Sequence, residues 1–394
     1  MIEIKYPPPA ERIVLAGLCT PQMDRNLFEE DIQEMVMLSR TAGAKVLEIF
    51  IQNAQRPSAT TYIGRGKLDD IHQYMIVSKC KTLVLDAELT PGQIRNIEKV
   101  IDGKVIDRSQ LILDIFAQHA RTNEARIQVE LAQLRTLYPR LTHAWSHFSQ
   151  QVGGIGTRGP GEKQLEVDRR LVQNKIADLK RRLKKVERSR VTQRKRRKAV
   201  TRLVLIGYTN VGKSSLLNAL CGSKVPVENK LFATLDTATR RTHIPQIGSV
   251  VISDTVGFLR KLPHHLVASF KSTLEVVTEA DILLIVMDAS SKWSDQQLTT
   301  VNEVLNELGV DNNHRLIVFN KSDLVSNPFE RKQIALAFPD ALLVSAFNPD
   351  DMKVLKERIR DVVGVYKRDE MMSHIIRKHT KRTKEDSKLP INYM

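Results

Sequence analysis

Residues 203–215, Leu-Val-Leu-Ile-Gly-Tyr-Thr-Asn-Val-Gly-Lys-Ser-Ser, constrain this chain more than any other stretch. An apolar run (Leu203–Ile206) enters a glycine loop, and a helix-like pattern of Leu216, Leu217, Ala219 and Leu220 leaves it. Gly207 and Gly212-Lys213-Ser214 stand at phosphate-loop spacing, in the strand–loop–helix context that gives the motif its meaning. Phosphates need backbone N–H donors within contact distance, and residues without bulk at Gly207 and Gly212 allow that approach. The helix N-terminus adds partial positive charge, Lys213 a full one, and Ser214 a hydroxyl for Mg²⁺. Tyr208, Thr209, Asn210 and Val211 complete the loop.

Four further motifs follow in order. Asp254-Thr255-Val256-Gly257 comes straight after a strand-like run; the carboxylate can reach the Mg²⁺ shell through water, and the glycine N–H can bond a γ-phosphate. Asn320-Lys321-Ser322-Asp323 follows another strand. The Asp323 carboxylate matches the N1–H and amine of guanine, whereas adenine presents no such donors. Ser345-Ala346 fits the loop whose N–H meets the guanine O6. Phe232-Ala233-Thr234-Leu235-Asp236 stands where a first switch loop belongs, with Thr234 as the second hydroxyl for Mg²⁺. A lone Asp-x-x-Gly is usually a turn and a lone Asn-Lys-x-Asp usually a surface loop. Five motifs in order, each at a strand end, predict GTP binding and hydrolysis. Lys213, Thr234 and Gly257 are the catalytic candidates, and Ser214 and Thr234 the metal ligands.

Two residues shape the expected mechanism. Phe258 stands where many GTPases place a water-orienting glutamine, so unaided hydrolysis is expected to be slow and to depend on a partner. Asn210 lies where an asparagine, in GTPases with an apolar switch residue, helps hold a monovalent cation; K⁺ is the expected ion.

The rest of the chain supplies context. Residues 12–120 alternate short Val/Ile/Leu-rich strands (Arg12–Leu18, Lys45–Ile51, Thr82–Asp86, Lys104–Asp107) with helical patterns (Leu27–Thr41, Lys67–Val77, Pro91–Val100, Ser109–Ala120), which predicts a parallel α/β unit. Thr90, Pro91 and Gln93 form a helix-start signature. Tyr62-Ile-Gly-Arg-Gly-Lys67 reads as a tight turn before a helix, because its spacing matches no phosphate motif.

Residues 121–199 read as an antiparallel helical hairpin. Ile127, Leu131, Leu134 and Tyr138 make one seam, Val172, Ile176, Leu179, Leu183 and Val186 the other, with Gly153–Gly161 as a glycine-rich tip. Between Glu166 and Lys198 there are fifteen Lys/Arg against four Asp/Glu. A solvated helix face ordinarily mixes signs at i,i+4; this excess points to a polyanion such as RNA, bound through phosphates without reading sequence. It accounts for most of the chain's formal net charge of +16. The next strands are expected at Leu203–Ile206, Val250–Ser253, Ile282–Met287, Leu316–Phe319 and Leu342–Ser345, with helices at Ser214–Leu220, His265–Val277, Asp295–Leu308 and Asp351–Val362. The organisation is therefore 1–120 an α/β domain, 121–199 the hairpin, 200–365 a P-loop GTPase domain on a parallel sheet, and 366–394 a basic tail, flexible or only partly helical. No run reaches membrane-span length, the start carries no export or import pattern, and three scattered cysteines suit a reducing compartment, so a cytoplasmic monomer is expected.

The chain resembles the HflX family of GTPases over nearly all of residues 12–365. The marks are Tyr62–Lys67, Val105-Ile-Asp-Arg108 with Leu111–Ala117, Gln128–Leu134, Phe232–Asp236 and above all Gly153-Gly-Ile-Gly-Thr-Arg-Gly-Pro-Gly-Glu-Lys-Gln-Leu165. The resemblance implies a GTPase that binds the large ribosomal subunit and its rRNA and splits or rescues stalled ribosomes under stress, with the hairpin reaching toward the peptidyl-transferase region. It also implies ATP or another nucleotide at the N-terminal domain. Thr237 replaces a proline common in the family, and no clear counterpart of a further C-terminal domain follows Val365. Two other outputs fit the same motifs: an RNA-binding assembly switch, and a switch acting on a protein or acidic membrane partner. The polar arm, without an aromatic or leucine wedge, argues against membrane insertion.

Overall fold

The computed structural model describes residues 10–144, 160–195, 200–223, 231–232, 237–261, 276–310 and 314–386. Outside these lie Ala233–Asp236, most of the glycine-rich tip, Arg196–Lys198 and most of the helix expected at His265–Val277. The chain divides into two compact units: Met1–Arg194 with Glu228–Asp236 and Lys261–Lys271, and Lys195–Val227 with Thr237–Arg260 and Ser272–Met394.

The first unit opens with the expected alternation. β1 (Glu11–Cys19), β2 (Ala44–Asn53), β3 (Thr82–Leu85) and β4 (Lys104–Asp107) form a wholly parallel sheet in the order β2-β1-β3-β4. The crossovers are α1 (Arg25–Thr41), α2 (Arg65–Ser78) and α3 (Pro91–Ile101), and α4 (Arg108–His119) follows β4. Local chemistry sets the helix starts. Asp24 accepts from the N–H groups of Asn26 and Leu27, and Thr90 and Gln93 make a reciprocal capping box with Pro91 in the first turn. One face of the sheet buries Val14, Ala16, Leu83 and Leu85 against Leu68, Ile71 and Ile97. This burial on the strand face is why the β-rich runs read as continuous apolar segments.

α5 (Asn123–Ala144) and α6 (Pro160–Lys195) pair along the expected seams. Ile127, Leu131 and Leu179 are buried together, with Leu134, Ile176 and Leu183 against them. Glu130 pairs with Lys175 at 3.0 Å, and the Tyr138 hydroxyl accepts from Arg169 and Gln173. Rising positions on α5 therefore meet falling positions on α6, and the pair is antiparallel. Lys180, Arg181, Arg182, Lys184 and Lys185 are all exposed.

The second unit is a six-stranded sheet in the order β10-β9-β8-β5-β7-β6, built from β5 (Thr201–Gly207), β6 (Ala238–Ile244), β7 (Gly248–Asp254), β8 (Ile282–Asp288), β9 (Arg315–Asn320) and β10 (Leu342–Leu343). All neighbours are parallel except β6, which runs antiparallel to β7. Helices α7 (Lys213–Cys221), α8 (Ser294–Glu307), α9 (Pro328–Ala337) and α10 (Pro349–Asp386) complete it.

Three features depart from the sequence reading. β6 was not expected, because Ala-Thr-Arg-Arg-Thr-His-Ile carries too little apolar surface; an edge strand needs only one neighbour. α9 was missed for a similar reason: it buries none of its residues. The basic tail continues α10 as helix through Asp386, and its first turns are held by contacts that periodicity does not reveal. Tyr366 donates to Asp281, Lys367 to the carbonyl of Ile247, and His314 lies 3.6 Å from Asp369.

Candidate functional site

A parallel sheet delivers its loops to one edge, beyond the strand C-termini, and the motif residues collect there. Asp254 pairs in register with Leu205 at the end of β5, Gly207 with Val286 on β8, and Asp288 with Asn320 across β8 and β9. Ser345 follows β10.

The phosphate loop is shaped by what its glycines leave room for. Gly207 has φ +151°, and a Cβ there would lie 2.1 Å from the carbonyl oxygen of Val286. Gly212 has φ +89°, and a Cβ would lie 2.2 Å from Asn320 Nδ2. That amide donates to the Val211 carbonyl at 2.9 Å, and Asn320 Oδ1 accepts from the Ala346 N–H at 3.1 Å. Asn320 is thus a stitch between the phosphate loop and the Ser345-Ala346 loop. The sequence reading gave it base choice; the side chain's hydrogen bonds join two loops instead.

Lys213 opens α7, with Nζ donating to the carbonyls of Gly207 (3.1 Å) and Tyr208 (2.7 Å). Burial pushes its pKa down to about 8, with the Asp254 charge opposing the fall. Ser214 Oγ donates to Asp254 Oδ2 at 2.5 Å. With its proton committed to the carboxylate, the hydroxyl keeps lone pairs for a cation. A hydroxyl beside a carboxylate that is fully buried is a hard-oxygen set of the kind Mg²⁺ takes. Thr234, the other expected ligand, lies outside the described residues along with Ala233, Leu235 and Asp236.

The second switch motif is anchored at both ends. Thr255, fully buried, donates to the Leu205 carbonyl at 2.7 Å, so its hydroxyl holds the loop to β5. Val256 is buried beside it. Phe258 donates its N–H to Gly207 (3.0 Å), and its carbonyl accepts from Thr209 (2.8 Å). The Phe258 ring is 1 % exposed, packed in the unit's interior. It cannot orient water, as expected from its chemistry, and burial now gives a second reason. Asn210 adopts left-handed backbone, φ +60°.

Three partners in this region went unnoticed in the sequence. Lys321, also left-handed at φ +64°, pairs with Asp288 at 2.7 Å. Asp351 accepts from the Ser345 N–H at 2.7 Å, and the Tyr208 hydroxyl accepts from the Arg260 N–H at 2.8 Å. None belongs to a motif, so only proximity in the fold exposes them. Ser322 is buried and Asp323, in the short turn Ser322–Leu324, is exposed.

In the first unit, the Tyr62–Lys67 stretch is a turn leading into α2, as expected. Gly64 donates its N–H to Gln52 Oε1 at 2.8 Å. Beside it lies a cavity of about 460 Å³ lined by Leu18, Gln52, Arg56, Ser58 and Tyr62. Burial pushes the Tyr62 hydroxyl pKa up, and the Asp86 charge adds to the rise.

Three family models match consecutive stretches: a GTP-binding GTPase N-terminal region over residues 29–117, a GTP-binding GTPase middle region over 119–197 and a 50S ribosome-binding GTPase over 202–321. The GTPase HflX of Flavobacterium psychrophilum is 47 % identical over 313 residues, covering 79 % of this chain and 76 % of that protein. It belongs to the HflX family of GTPases. The Escherichia coli HflX is 44 % identical over 300 residues, 76 % of this chain and 70 % of its own length. The solved structure of SsGBP with GDP shares the fold, at a TM-score of 0.52 and 24 % identity, covering 89 % of this chain and 98 % of that one. Like its HflX relatives, the chain is a GTPase. Among the described residues no helix is long and apolar enough to cross a membrane.

Proposed function

We propose that this HflX-family GTPase binds the large ribosomal subunit through rRNA and, while loaded with GTP, splits or rescues stalled ribosomes under stress. The observation that carries the reading is α6: a run of exposed Lys180, Arg181, Arg182, Lys184 and Lys185 with a buried seam behind it. The match of residues 202–321 to a 50S ribosome-binding GTPase supports the same partner.

In this reading Lys213, Gly257 and the loop from Gly207 to Ser214 hold the phosphates, and Thr234 closes over them. Ser214 and Thr234 hold Mg²⁺, which neutralises phosphate charge when bound. Asp254 orients the Ser214 hydroxyl, Asp323 selects guanine, and Asn320 keeps the two loops in register. Phe232, Leu235 and Asp236 shape the first switch, Lys321 and Ser322 the base loop, and Ser345 and Ala346 the guanine O6 contact. Asn210 positions K⁺ near the reacting phosphate. The ribosome completes a hydrolytic site that Phe258 leaves without a water-orienting group, and GTP loss relaxes both switches and releases the protein into the cytoplasm. The 460 Å³ cavity beside Gly64 is the place for the ATP that the family resemblance implies; equilibrium dialysis of ATP against a Gly64→Val variant tests it.

Cosedimentation with ribosomal subunits, joined to a splitting assay with GTP, GDP and Lys213→Ala, tests the main reading. GTP-dependent binding to the large subunit with splitting is expected. Binding without splitting favours the assembly-switch alternative, and no association under any nucleotide overturns the ribosomal reading.

A further inference from the structure

Two short stretches of the chain's second half group with the first unit: Glu228–Asp236 and Lys261–Lys271. They flank the switch motifs. One contains Phe232-Ala-Thr-Leu-Asp236, and the other begins four residues after Gly257. Each places a described residue firmly within the first unit. Phe232 is 2 % exposed, and its ring meets that of Phe116 edge-on, centroids 4.7 Å apart. Lys261 Nζ lies 2.7 Å from Asp31 Oδ2 and 3.8 Å from Asp86 Oδ2.

Where Lys261 lands matters. In the order β2-β1-β3-β4 the chain leaves β1 for one side and returns to β3 on the other, so β1 and β3 bracket the topological switch point. Open α/β sheets bind ligands in the crevice beyond the strand ends at that point. Asp86 follows the last residue of β3, its N–H bonded to Ala16 of β1 at 3.0 Å. Arg108, buried, bonds Asp86 Oδ1 at 2.8 Å and also Glu34. Asp31, Glu34 and Asp86 thus set three carboxylates against one guanidinium, in surroundings where their side chains are 2–11 % exposed. Buried carboxylates call for cations. Here the second cation is Lys261, from the chain itself, on left-handed backbone at φ +50° that a side-chain-bearing residue adopts at a cost.

The residues just before Lys261 are tied to the phosphate loop. Arg260 donates its N–H to the Tyr208 hydroxyl, and Phe258 exchanges backbone bonds with Gly207 and Thr209. A Cβ on Gly257 would lie 2.6 Å from Thr209 Cα. The switch backbone is drawn tight onto the loop. A γ-phosphate that takes the Gly257 N–H has to lift this backbone away from Thr209, against whatever holds the chain three residues beyond Phe258.

We propose that the switch-point crevice is a latch for the protein's own switch segments, with Lys261 as its ligand and Phe232 as a second anchor. The latch opposes entry of a triphosphate and is indifferent to a diphosphate, which makes no demand on Gly257. Anything that draws Asp31 or Asp86 away from Lys261, such as an rRNA contact on the first unit, then favours the GTP-bound form.

The test compares affinities of the full-length protein for GDP and for a non-hydrolysable GTP analogue, in wild type, Lys261→Met, Asp31→Asn, the double variant and Lys261→Arg. Each single neutralisation is expected to tighten the GTP analogue about three- to ten-fold, the range of a partly exposed ion pair, with GDP unchanged. The double variant is expected to gain no more than either single, because both remove one interaction. Lys261→Arg is expected to behave as wild type. An unchanged ratio of the two affinities, a weaker GTP analogue, gains that multiply in the double variant, or loss of GDP binding along with the analogue would each overturn the latch.

Discussion

Asn320 and Gly212 are residues of two different motifs that share one volume: the position of a Cβ on Gly212 is 2.2 Å from Asn320 Nδ2. The glycine is required as much by the asparagine crossing above it as by any phosphate below. The asparagine in turn depends on the glycine to reach the Val211 carbonyl at 2.9 Å. Asn320→Ala therefore leaves Val211 and Ala346 without these partners, at about 1–3 kcal/mol for each buried group. Fluorescent-GDP titration is expected to show binding weaker by roughly ten- to a hundred-fold. Unchanged affinity would show that the two loops keep their places without the stitch.

Lys213 makes nucleotide binding pH-dependent. Its pKa in the folded protein is lowered to about 8 from an ordinary value of 10.5. Between those values the unfolded chain binds more protons than the folded one, so stability of the nucleotide-free protein rises with pH across that window. The penalty of the buried ammonium is fully present below about pH 8. Phosphates favour the charged form, so above pH 8 binding takes up a proton. GTP affinity is expected to fall by up to about tenfold per pH unit there, and a Lys213→Ala variant to lose that slope. Titrations between pH 7 and 9.5 read both effects.

Replacing Phe258 by glutamine is not expected to install a catalytic group. The ring is 1 % exposed and its backbone is bonded to Gly207 and Thr209, so the change exchanges a buried ring for a polar side chain. A loss of about 3 kcal/mol or more in unfolding stability is expected, with no tenfold rise in single-turnover hydrolysis. A large rise would mean that the 258 side chain can reach the reacting phosphate.

The role proposed for Asn210 predicts a cation requirement. Hydrolysis in K⁺ buffer is expected to exceed that in Na⁺ at equal ionic strength, and Asn210→Ala to remove the difference. Equal rates in the two salts would eliminate K⁺ from the mechanism.

Charge reversal of Lys180, Arg181, Arg182, Lys184 and Lys185 is expected to weaken binding to the large subunit and flatten its salt dependence. Each lost phosphate contact removes about 0.7–0.9 from the slope of log affinity against log salt. Binding that survives unchanged at moderate salt would show that α6 is not the contact.

Much of this protein was legible in its residues. The strands of the first unit declare themselves because parallel strands between helices are apolar along their length, and Thr90 with Gln93 announces α3 through a local bond pattern. The seams of α5 and α6 follow from helical period alone. The phosphate loop and its companion motifs are legible because each contact to a nucleotide demands a residue type at a set spacing. What escaped notice has no local signature. β6 is a polar edge strand, α9 buries nothing, and α10 runs on because Tyr366 and Lys367 find Asp281 and Ile247, which are distant in sequence.

The sequence by itself determined the motifs, their order and the chemistry each can offer, since these depend on residue type and near neighbours. Only the tertiary structure decided that Asn320 stitches loops, that Ser214 gives its proton to Asp254 and that Phe258 turns inward. It also decided that Lys261, an unremarked lysine in the sequence, pairs with Asp31. All of these are meetings between residues far apart along the chain. Spacing carries no record of such meetings, which exist only once packing has brought the strand ends together.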